Sequence, residues 1–257
     1  MIIRKSAGEL DLMRRSGVIL AETITRVVEA VAPGISTRDL DRIAAKVIAD
    51  AGAEPSFLGY GGGGGGQIPF PATICASIND EIVHGIPSGE RVLRDGDLVS
   101  LDFGAIWQGF HSDSAVTVFV GAPPDDDAKR LVEVTEAALD AAIAVVRPGG
   151  RLSDIGHAIE QTAVTHGLGI VREYGGHGIG RAMHEDPFIQ NWGAPGRGPE
   201  LKPGLVIAIE PMLTLGGDAT RVMPDGWTVR TADGSLAAHF EHTVAITKAG
   251  AEVLTAR

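Results

Sequence analysis

Four stretches of the chain carry apolar residues at the three- and four-residue spacing that is typical of amphipathic helices. The first follows a predicted capping box of Ser6 and Glu9 and stops at Pro33-Gly34. The third begins at the acidic run Asp125–Asp127, which suits a helix N-terminus, and stops at Pro148-Gly149. The second and fourth are predicted at about Asp39–Ala51 and Ser153–His166, each followed by a glycine.

Four other segments are rich in β-branched and apolar residues and predict the strands Val99–Phe103, Ala115–Val120, Leu205–Leu213 and Phe240–Thr247. The order helix, helix, strands therefore occurs twice. Short motifs repeat in the same order: 31–34 with 146–149, 84–87 with 184–187, and 93–96 with 201–204. We expect a mixed α/β (α+β) fold in a single domain over residues 1–257, with duplicated halves of about 1–120 and 121–257. The alternative to duplication is that these motifs match by chance, because Pro-Gly sequences are common at the ends of helices and strands.

The composition narrows the class of protein. The chain has 257 residues, with 22 Lys and Arg against 33 Asp and Glu, and this acidic balance argues against binding to nucleic acid phosphates. Its single cysteine, Cys75, excludes an internal disulfide and a cysteine-based zinc site and suits a reducing compartment. The first residues lack the apolar run of a signal peptide, and no apolar run is long enough to cross a bilayer. We expect a cytoplasmic protein without nucleic-acid or membrane partners.

Asp102 and Asp113 form the first candidate site. A hairpin that turns at Trp107-Gln108 would place the two carboxylates directly opposite each other on one face, with Cβ atoms about 5 Å apart. Two like charges at that distance repel, so that either one carboxylate is protonated or a cation lies between them. The alternative is an exposed hairpin in which both acids are solvated.

Glu210 and Glu241 favour the explanation in which a cation lies between the carboxylates. Each lies in a largely apolar strand with few Lys or Arg residues nearby in the sequence, and an unpaired buried charge is costly. Two divalent cations would balance four carboxylates, and His177, which lies between glycines, is the candidate nitrogen ligand. Oxygen-dominated ligation favours manganese, iron or cobalt. A glycine-rich dinucleotide loop around His177 is the alternative, although it lacks a strand-to-helix context.

The remaining histidines differ in their predicted roles. His84 and His184 occupy equivalent positions in the two repeats and are candidates for general acid–base catalysis or carbonyl binding. His111 and His242 adjoin the segments of the proposed ligands and are predicted to support them. The role of His239 stays open.

Together these motifs resemble the bacterial-type, type I methionine aminopeptidases, and the resemblance covers nearly the whole chain. The matching segments are Ile78–Pro87, Leu101–Gly104 with Ser112-Asp113, Gly176–Arg181, Met183–Glu185, Ile209–Met212, Asp225–Val229 and Phe240–Thr243. The resemblance implies a pita-bread fold, in which a curved antiparallel sheet with an internal pseudo-twofold repeat is backed by two helix pairs. It also implies a monomeric metalloaminopeptidase that removes the initiator methionine from nascent polypeptides, at the ribosome, when the second residue is small.

The resemblance further assigns chemical roles. It implies two divalent metal ions (cobalt, manganese, iron or zinc) held by Asp102, Asp113, His177, Glu210 and Glu241. A metal-activated water molecule would attack the scissile carbonyl, and Glu210 would shuttle its proton. His184 would hold the carbonyl oxygen, and His84 would contact the scissile nitrogen.

A methionine pocket is also implied, with a lining of Tyr60, Phe70, Cys75 and Trp227. Ordinary core packing is the alternative for these residues. The chain departs from the family where Gly175 replaces a frequent cysteine and Met183 a frequent phenylalanine. The glycine run Gly61–Gly66, which predicts a flexible loop and a candidate lid, lengthens the segment between two pocket residues. These departures concern the pocket and its access, not the metal ligands.

Two alternative functions remain. A proline-specific aminopeptidase or dipeptidase would share the fold, but such enzymes usually carry a large N-terminal domain, whereas we expect this chain to start directly with the catalytic half. A catalytically inactive member of the fold that acts as a binding module is the other alternative. The complete set of proposed ligands and both repeated histidines argue against it.

Overall fold

A computed structural model describes residues 1–62 and 68–257 of the chain. Within these ranges the four predicted helices are confirmed as α1 (Ala7–Glu29), α2 (Thr37–Asp50), α3 (Asp126–Ala144) and α4 (Leu152–Thr165). Residues 63–66 of the glycine run lie outside the described residues, so its interpretation as a flexible lid stays a prediction. None of the helices in the described ranges combines the length and apolar character that crossing a membrane requires.

Side-chain caps fix where the first two helices begin. The Ser6 hydroxyl accepts a hydrogen bond from the Glu9 backbone N–H, and the Glu9 carboxylate accepts one from the Ser6 N–H at 2.9 Å, so the predicted capping box is present. Helix α2 begins two residues before the predicted start, because the Ser36 hydroxyl accepts the N–H of Asp39 at 3.2 Å and acts as its N-cap.

The strands pair only in antiparallel fashion within the described residues. Their bounds are β1 (Glu54–Pro55), β2 (Ile74–Ile78), β3 (Glu81–Val83), β4 (Leu98–Trp107), β5 (Phe110–Phe119), β6 (Gly169–Ile170), β7 (Gly176–Gly178), β8 (Glu185–Ile189), β9 (Val206–Ile209), β10 (Met212–Thr214), β11 (Thr220–Val222), β12 (Val229–Thr231), β13 (Ala237–His239), β14 (His242–Thr247) and β15 (Gly250–Val253). The long hairpin β4–β5 dominates the first sheet, and the order β15-β14-β9-β7-β8 forms the largest sheet of the second half.

The helices pack in two pairs against these sheets. Helices α1 and α2 contact each other, and α1 covers the hairpin β4–β5; α3 and α4 contact each other and cover strands of the second half. One buried hydrophobic cluster joins both layers and includes Leu20 in α1, Leu101 in β4, Leu139 in α3 and Ile207 in β9. The element order repeats as the sequence predicts, whereas the single-domain assignment and the origin of the halves by duplication stay predictions.

The register of the hairpin β4–β5 differs from the predicted one. Its two-residue turn is Gln108-Gly109, and both residues have left-handed φ values, 48° and 78°. Asp102 therefore pairs with Ala115, and Asp113 pairs with Gly104. The prediction that the two acids lie directly opposite each other is wrong by two positions. Because a shift of two residues preserves the side of a strand, the prediction that they share a face is confirmed.

Neither predicted strand that contains a glutamate continues through that glutamate. The segment Leu205–Leu213 splits into β9 and β10 around Glu210, where the following residue, Pro211, has no N–H to donate to a ladder. Glu241 likewise lies between β13 and β14. Strand β9 pairs with β14, and β10 pairs with β13, so the chain passes from one sheet to the other at each glutamate. The direction of each glutamate side chain is therefore not fixed by the alternation of faces along a continuous strand.

A buried ion pair holds the N-terminal segment against the turn that precedes β8. Lys5 Nζ lies 2.7 Å from Glu185 Oε2, and the two side chains are only 2% and 7% exposed. The other oxygen of Glu185 accepts the backbone N–H groups of Arg181 and Ala182. This turn carries His184, so the ion pair fixes the backbone beside a predicted catalytic residue.

We expect Lys5→Met to destabilise the protein by about 3–5 kcal/mol, because it leaves the Glu185 carboxylate buried without its partner. Urea unfolding of both proteins measures the difference. Lys46→Met is the matched control, because Lys46 pairs with Asp50 on the surface with side chains 74% and 65% exposed; its cost should stay within about 0.5 kcal/mol. Equal losses of stability in the two variants would contradict a stabilising role of the buried Lys5–Glu185 ion pair.

Candidate metal centre

Five side chains that the sequence predicts as metal ligands line one cavity of the structure. They come from separate parts of the chain: Asp102 from β4, Asp113 from β5, His177 from β7, Glu210 from the residue after β9 and Glu241 from the residue before β14. Asp113, His177 and Glu241 are at most 5% exposed, and Asp102 is 9% exposed. The alternative of an exposed hairpin with solvated acids is therefore wrong.

The distances in this cluster suit a shared cation better than direct hydrogen bonds. His177 Nε2 lies 3.6 Å from Asp113 Oδ2 and 3.6 Å from Glu210 Oε1. Ligand atoms of Asp113, His177 and Glu241 lie within 4.8 Å of one another. These separations exceed a hydrogen bond but allow several donor atoms to face one ion.

Unsatisfied oxygens in the cluster also fit a metal. Asp102 Oδ1, Asp113 Oδ1 and Glu241 Oε1 are buried and have no hydrogen-bond partner among the described residues. Burial raises the pKa of Asp102 and of Glu241 well above the ordinary carboxyl range, and the neighbouring Asp113 charge raises both further. Divalent cations would supply the missing partners and hold the carboxylates in their charged form. The donor set, four carboxylates and one imidazole, therefore fits the implied metal ions.

The two repeated histidines, His84 and His184, face the same cavity. Burial lowers the pKa of His84 to about 4, so its ring is neutral at pH 7. The pKa of His184 is also lowered to about 4, by partial burial and then by the charge of His177, although the residue as a whole is exposed to solvent. The His177 and His184 ring centroids are 4.2 Å apart, which places His184 directly beside the carboxylate cluster.

Tyr60 contacts His184 from the other side. Its hydroxyl lies 2.6 Å from His184 Nδ1, and the two ring centroids are 5.3 Å apart. The backbone of Tyr60 is held by Phe70, whose N–H donates to the Tyr60 carbonyl at 2.8 Å. The residues at the two ends of the glycine-rich segment are thus joined beside the histidine.

The predicted methionine pocket opens onto the carboxylate cluster. Tyr60, Phe70, Cys75 and Trp227 all line the cavity that contains the candidate ligands. Phe70 and Trp227 meet edge to face with centroids 5.3 Å apart. Cys75 pairs with Asp102 across β2 and β4, and burial raises the pKa of its thiol well above the ordinary value, so it contributes a neutral sulfur to the wall.

Some lining residues were not assigned from the sequence. Phe57 and Met183 also line the pocket. In the sequence Met183 stands out only as a departure from the family, whereas Phe57 follows the two-residue strand β1 and has no local signal of a site. His239, whose role the sequence leaves open, is 1% exposed and places Nε2 3.6 Å from Glu210 Oε2.

His111 and His242 point to other partners. His111 Nδ1 lies 3.0 Å from Ser56 Oγ, and His242 Nδ1 lies 2.8 Å from Thr255 Oγ1. In the part of the chain that the structure describes, neither ring hydrogen-bonds to a carboxylate of the cluster. Their predicted support of the ligands is therefore at most indirect, through the backbone segments that they stabilise.

Comparison with known proteins identifies the family. The sequence matches the model of metallopeptidase family M24 over residues 11–248. It is 53% identical to methionine aminopeptidase 1 of Mycobacterium tuberculosis, with 99% of this chain and 95% of that protein covered. It is 49% identical to methionine aminopeptidase 1 of Bacillus subtilis, with 99% of each covered.

Solved structures agree. The crystal structure of methionine aminopeptidase from Thermotoga maritima matches with a TM-score of 0.95 and 41% identity over 100% of both chains. Prolidase from Pyrococcus furiosus matches with a TM-score of 0.76 and 23% identity, over 99% of this chain and 66% of that one, which is a likeness of fold alone. The predicted pita-bread fold is confirmed. The chain belongs to metallopeptidase family M24 and, within that family, to the methionine aminopeptidases.

Proposed function

We propose that this enzyme removes an N-terminal methionine when the second residue is small. The observation that carries the proposal is the shared cavity: an aromatic and sulfur-containing wall adjoins buried, unpaired carboxylates. Such a wall suits a thioether side chain, since sulfur–aromatic contacts are favourable. From the family resemblance of the sequence, we expect the natural substrates to be nascent polypeptides in the cytoplasm and the enzyme to act as a monomer.

Two divalent ions fit the donor set. The residues that would hold them are Asp102, Asp113, His177, Glu210 and Glu241. Such ions would supply Lewis-acid polarisation and lower the pKa of water.

The protein groups would then perform the remaining tasks. Glu210, whose side chain is 13% exposed and thus more accessible than Asp113 or Glu241, would accept the proton of the attacking water and pass it to the leaving amine. His84, neutral at pH 7 because burial lowers its pKa to about 4, can hydrogen-bond the scissile nitrogen without adding positive charge.

Tyr60 would set the proton position on His184. A neutral imidazole carries one N–H, and which nitrogen carries it is decided by the hydrogen bond at the other. When the Tyr60 hydroxyl donates to Nδ1, at 2.6 Å, the proton is left on Nε2. Nε2–H can then donate to the substrate carbonyl oxygen, where negative charge develops during the reaction.

Substrate specificity tests the proposed function. We expect a Met-Ala peptide to be hydrolysed about 10–100-fold more efficiently than a Met-Phe peptide, because a large second side chain must be accommodated beside the catalytic histidines. Chelation should abolish turnover, and manganese, cobalt or iron should restore it. Faster cleavage of an Xaa-Pro substrate would favour the proline-specific alternative. A correctly folded, metal-loaded enzyme without peptidase activity would favour a binding module.

Asp102→Asn tests the ligand assignment. The amide has nearly the same shape but no charge, so we expect the protein to stay folded and to lose hydrolysis of Met-Ala by more than about 100-fold, the upper range for loss of an outer partner of a metal. Thermal unfolding and metal analysis should accompany the kinetics. Asp140→Asn, on an exposed position of α3, is the matched control and should leave the rate unchanged. Retained turnover in Asp102→Asn would contradict the assignment.

Tyr60→Phe tests the proton position on His184. We expect kcat to fall about 10-fold with little change in KM, because one hydrogen bond of about 1.4 kcal/mol is lost while the pocket keeps its shape. Nitrogen-15 NMR should show the His184 Nε2–H form weakening. Tyr174→Phe, at the only other tyrosine, should change neither quantity. A full-rate Tyr60→Phe enzyme with an unaltered NMR pattern would contradict the role.

A further inference from the structure

The backbone of His239 is held by two neighbouring strands beside the carboxylate cluster. His239 is the last residue of β13 and pairs with Met212 of β10. Its N–H donates to the Thr117 hydroxyl oxygen at 2.9 Å, and its carbonyl accepts the Thr117 hydroxyl proton at 2.7 Å. Because Thr117 belongs to β5, backbone contacts with two other strands fix the position from which the His239 ring projects.

The ring points at two carboxylates. Nε2 is buried and has no hydrogen-bond partner among the described residues. The acidic oxygens that face it are Glu210 Oε2 at 3.6 Å and Glu241 Oε2 at 4.0 Å. A buried polar atom without a partner costs about 1–3 kcal/mol. A small movement of about 0.5 Å toward the nearer carboxylate would bring Nε2 to hydrogen-bond distance.

The two oxygens of Glu210 face different imidazoles. Oε1 lies 3.6 Å from His177 Nε2, within the cluster that is proposed to hold metal, whereas Oε2 lies 3.6 Å from His239 Nε2. In the residues that the structure describes, no protein hydrogen bond restrains the Glu210 carboxylate; only its backbone carbonyl is held, by Asn191 Nδ2 at 2.9 Å. Carboxylates that bind a metal through one oxygen are typically oriented by a hydrogen bond to the other oxygen, which His239 could supply here.

We infer that His239 is a positioning residue for Glu210: its Nε2–H holds Oε2, so that Oε1 is presented to the metal site. This inference rests on the proposed function, because it gives His239 a task only if Glu210 binds metal. Direct ligation by His239 is the competing role, since Glu210, His239 and Glu241 place ligand atoms within 4.8 Å of one another. The position on the far side of Glu210 from His177 favours the positioning role.

Metal affinity of the metal-free protein tests the inference without relying on turnover. We expect His239→Leu to weaken binding of Mn²⁺ or Co²⁺, measured by titration calorimetry, by about 10–100-fold. His239→Gln keeps an N–H donor and should restore affinity to within about 3-fold of the original. In the metal-loaded enzyme, kcat for Met-Ala should follow the same order while KM changes little.

A double-mutant cycle supplies the control. In a Glu210→Gln background, His239→Leu should weaken metal binding no further, because the residue it positions has been changed. Equal loss in His239→Gln and His239→Leu would make His239 a ligand and overturn the inference, as would unchanged affinity in His239→Leu. If His239→Leu does not fold, as judged by its thermal transition, the metal affinities of His239→Gln and Glu210→Gln are compared instead. Affinity of His239→Gln within about 3-fold of the original supports the inference. A loss as large as that of Glu210→Gln overturns it. Metal binding by an enzyme that fails to cleave Met-Ala would refute the proposed function alone.

Discussion

Burial of like charges is the constraint on which this structure depends. Asp102, Asp113 and Glu241 lie almost entirely out of solvent in one cavity, and Glu210 lies at its edge. Carboxylates that are gathered in a medium of low dielectric repel one another and lose their hydration, so the fold tolerates them only with protons or cations between them. Most features around the cavity, from strand breaks to glycines, serve to bring these groups close enough to share a countercharge.

Glycines make that approach possible. A Cβ at Gly104, the pairing partner of Asp113, would lie 2.7 Å from the Ser56 Cβ. A Cβ at Gly176 would lie 2.3 Å from the Ala208 carbonyl oxygen, and one at Gly178 would lie 2.2 Å from that of Asp186. These distances are far below van der Waals contact, so strands β7, β8 and β9 can approach this closely only with glycine on both sides of His177. The glycine-rich motif around that histidine is thus a packing requirement that also fixes the position of a proposed ligand.

Local patterns in the sequence predict the helices and the face of the acids, but not how the chain closes around the site. The capping box at Ser6 depends on residues only three positions apart. The shared face of Asp102 and Asp113 follows from the alternation of side chains along the two strands of one hairpin. The register of the hairpin β4–β5 depends on Gln108 adopting a left-handed φ of 48°, which its residue type does not favour. The sequence leaves the role of His239 open because this histidine has no counterpart in the other repeat, and since the chain leaves β13 before Glu241, spacing along one strand does not relate their positions. The meeting of side chains from β4, β5, β7 and the ends of β9 and β14 is a property of the tertiary structure.

Burial has opposite effects on the acids and on the imidazole of His84, and this difference suits one cavity to both the proposed metal binding and the proposed catalysis. Burial raises the pKa of Asp102 and Glu241 and lowers that of His84, so without cations both kinds of group tend toward the neutral form. Cations reverse the effect for the acids only, since positive charge stabilises carboxylates and disfavours imidazolium. A loaded site would therefore contain charged carboxylates beside a neutral His84 at pH 7. A neutral imidazole can donate a hydrogen bond through its N–H and accept one at its other nitrogen, so the environment that makes the acids costly also prepares the histidines for their proposed roles.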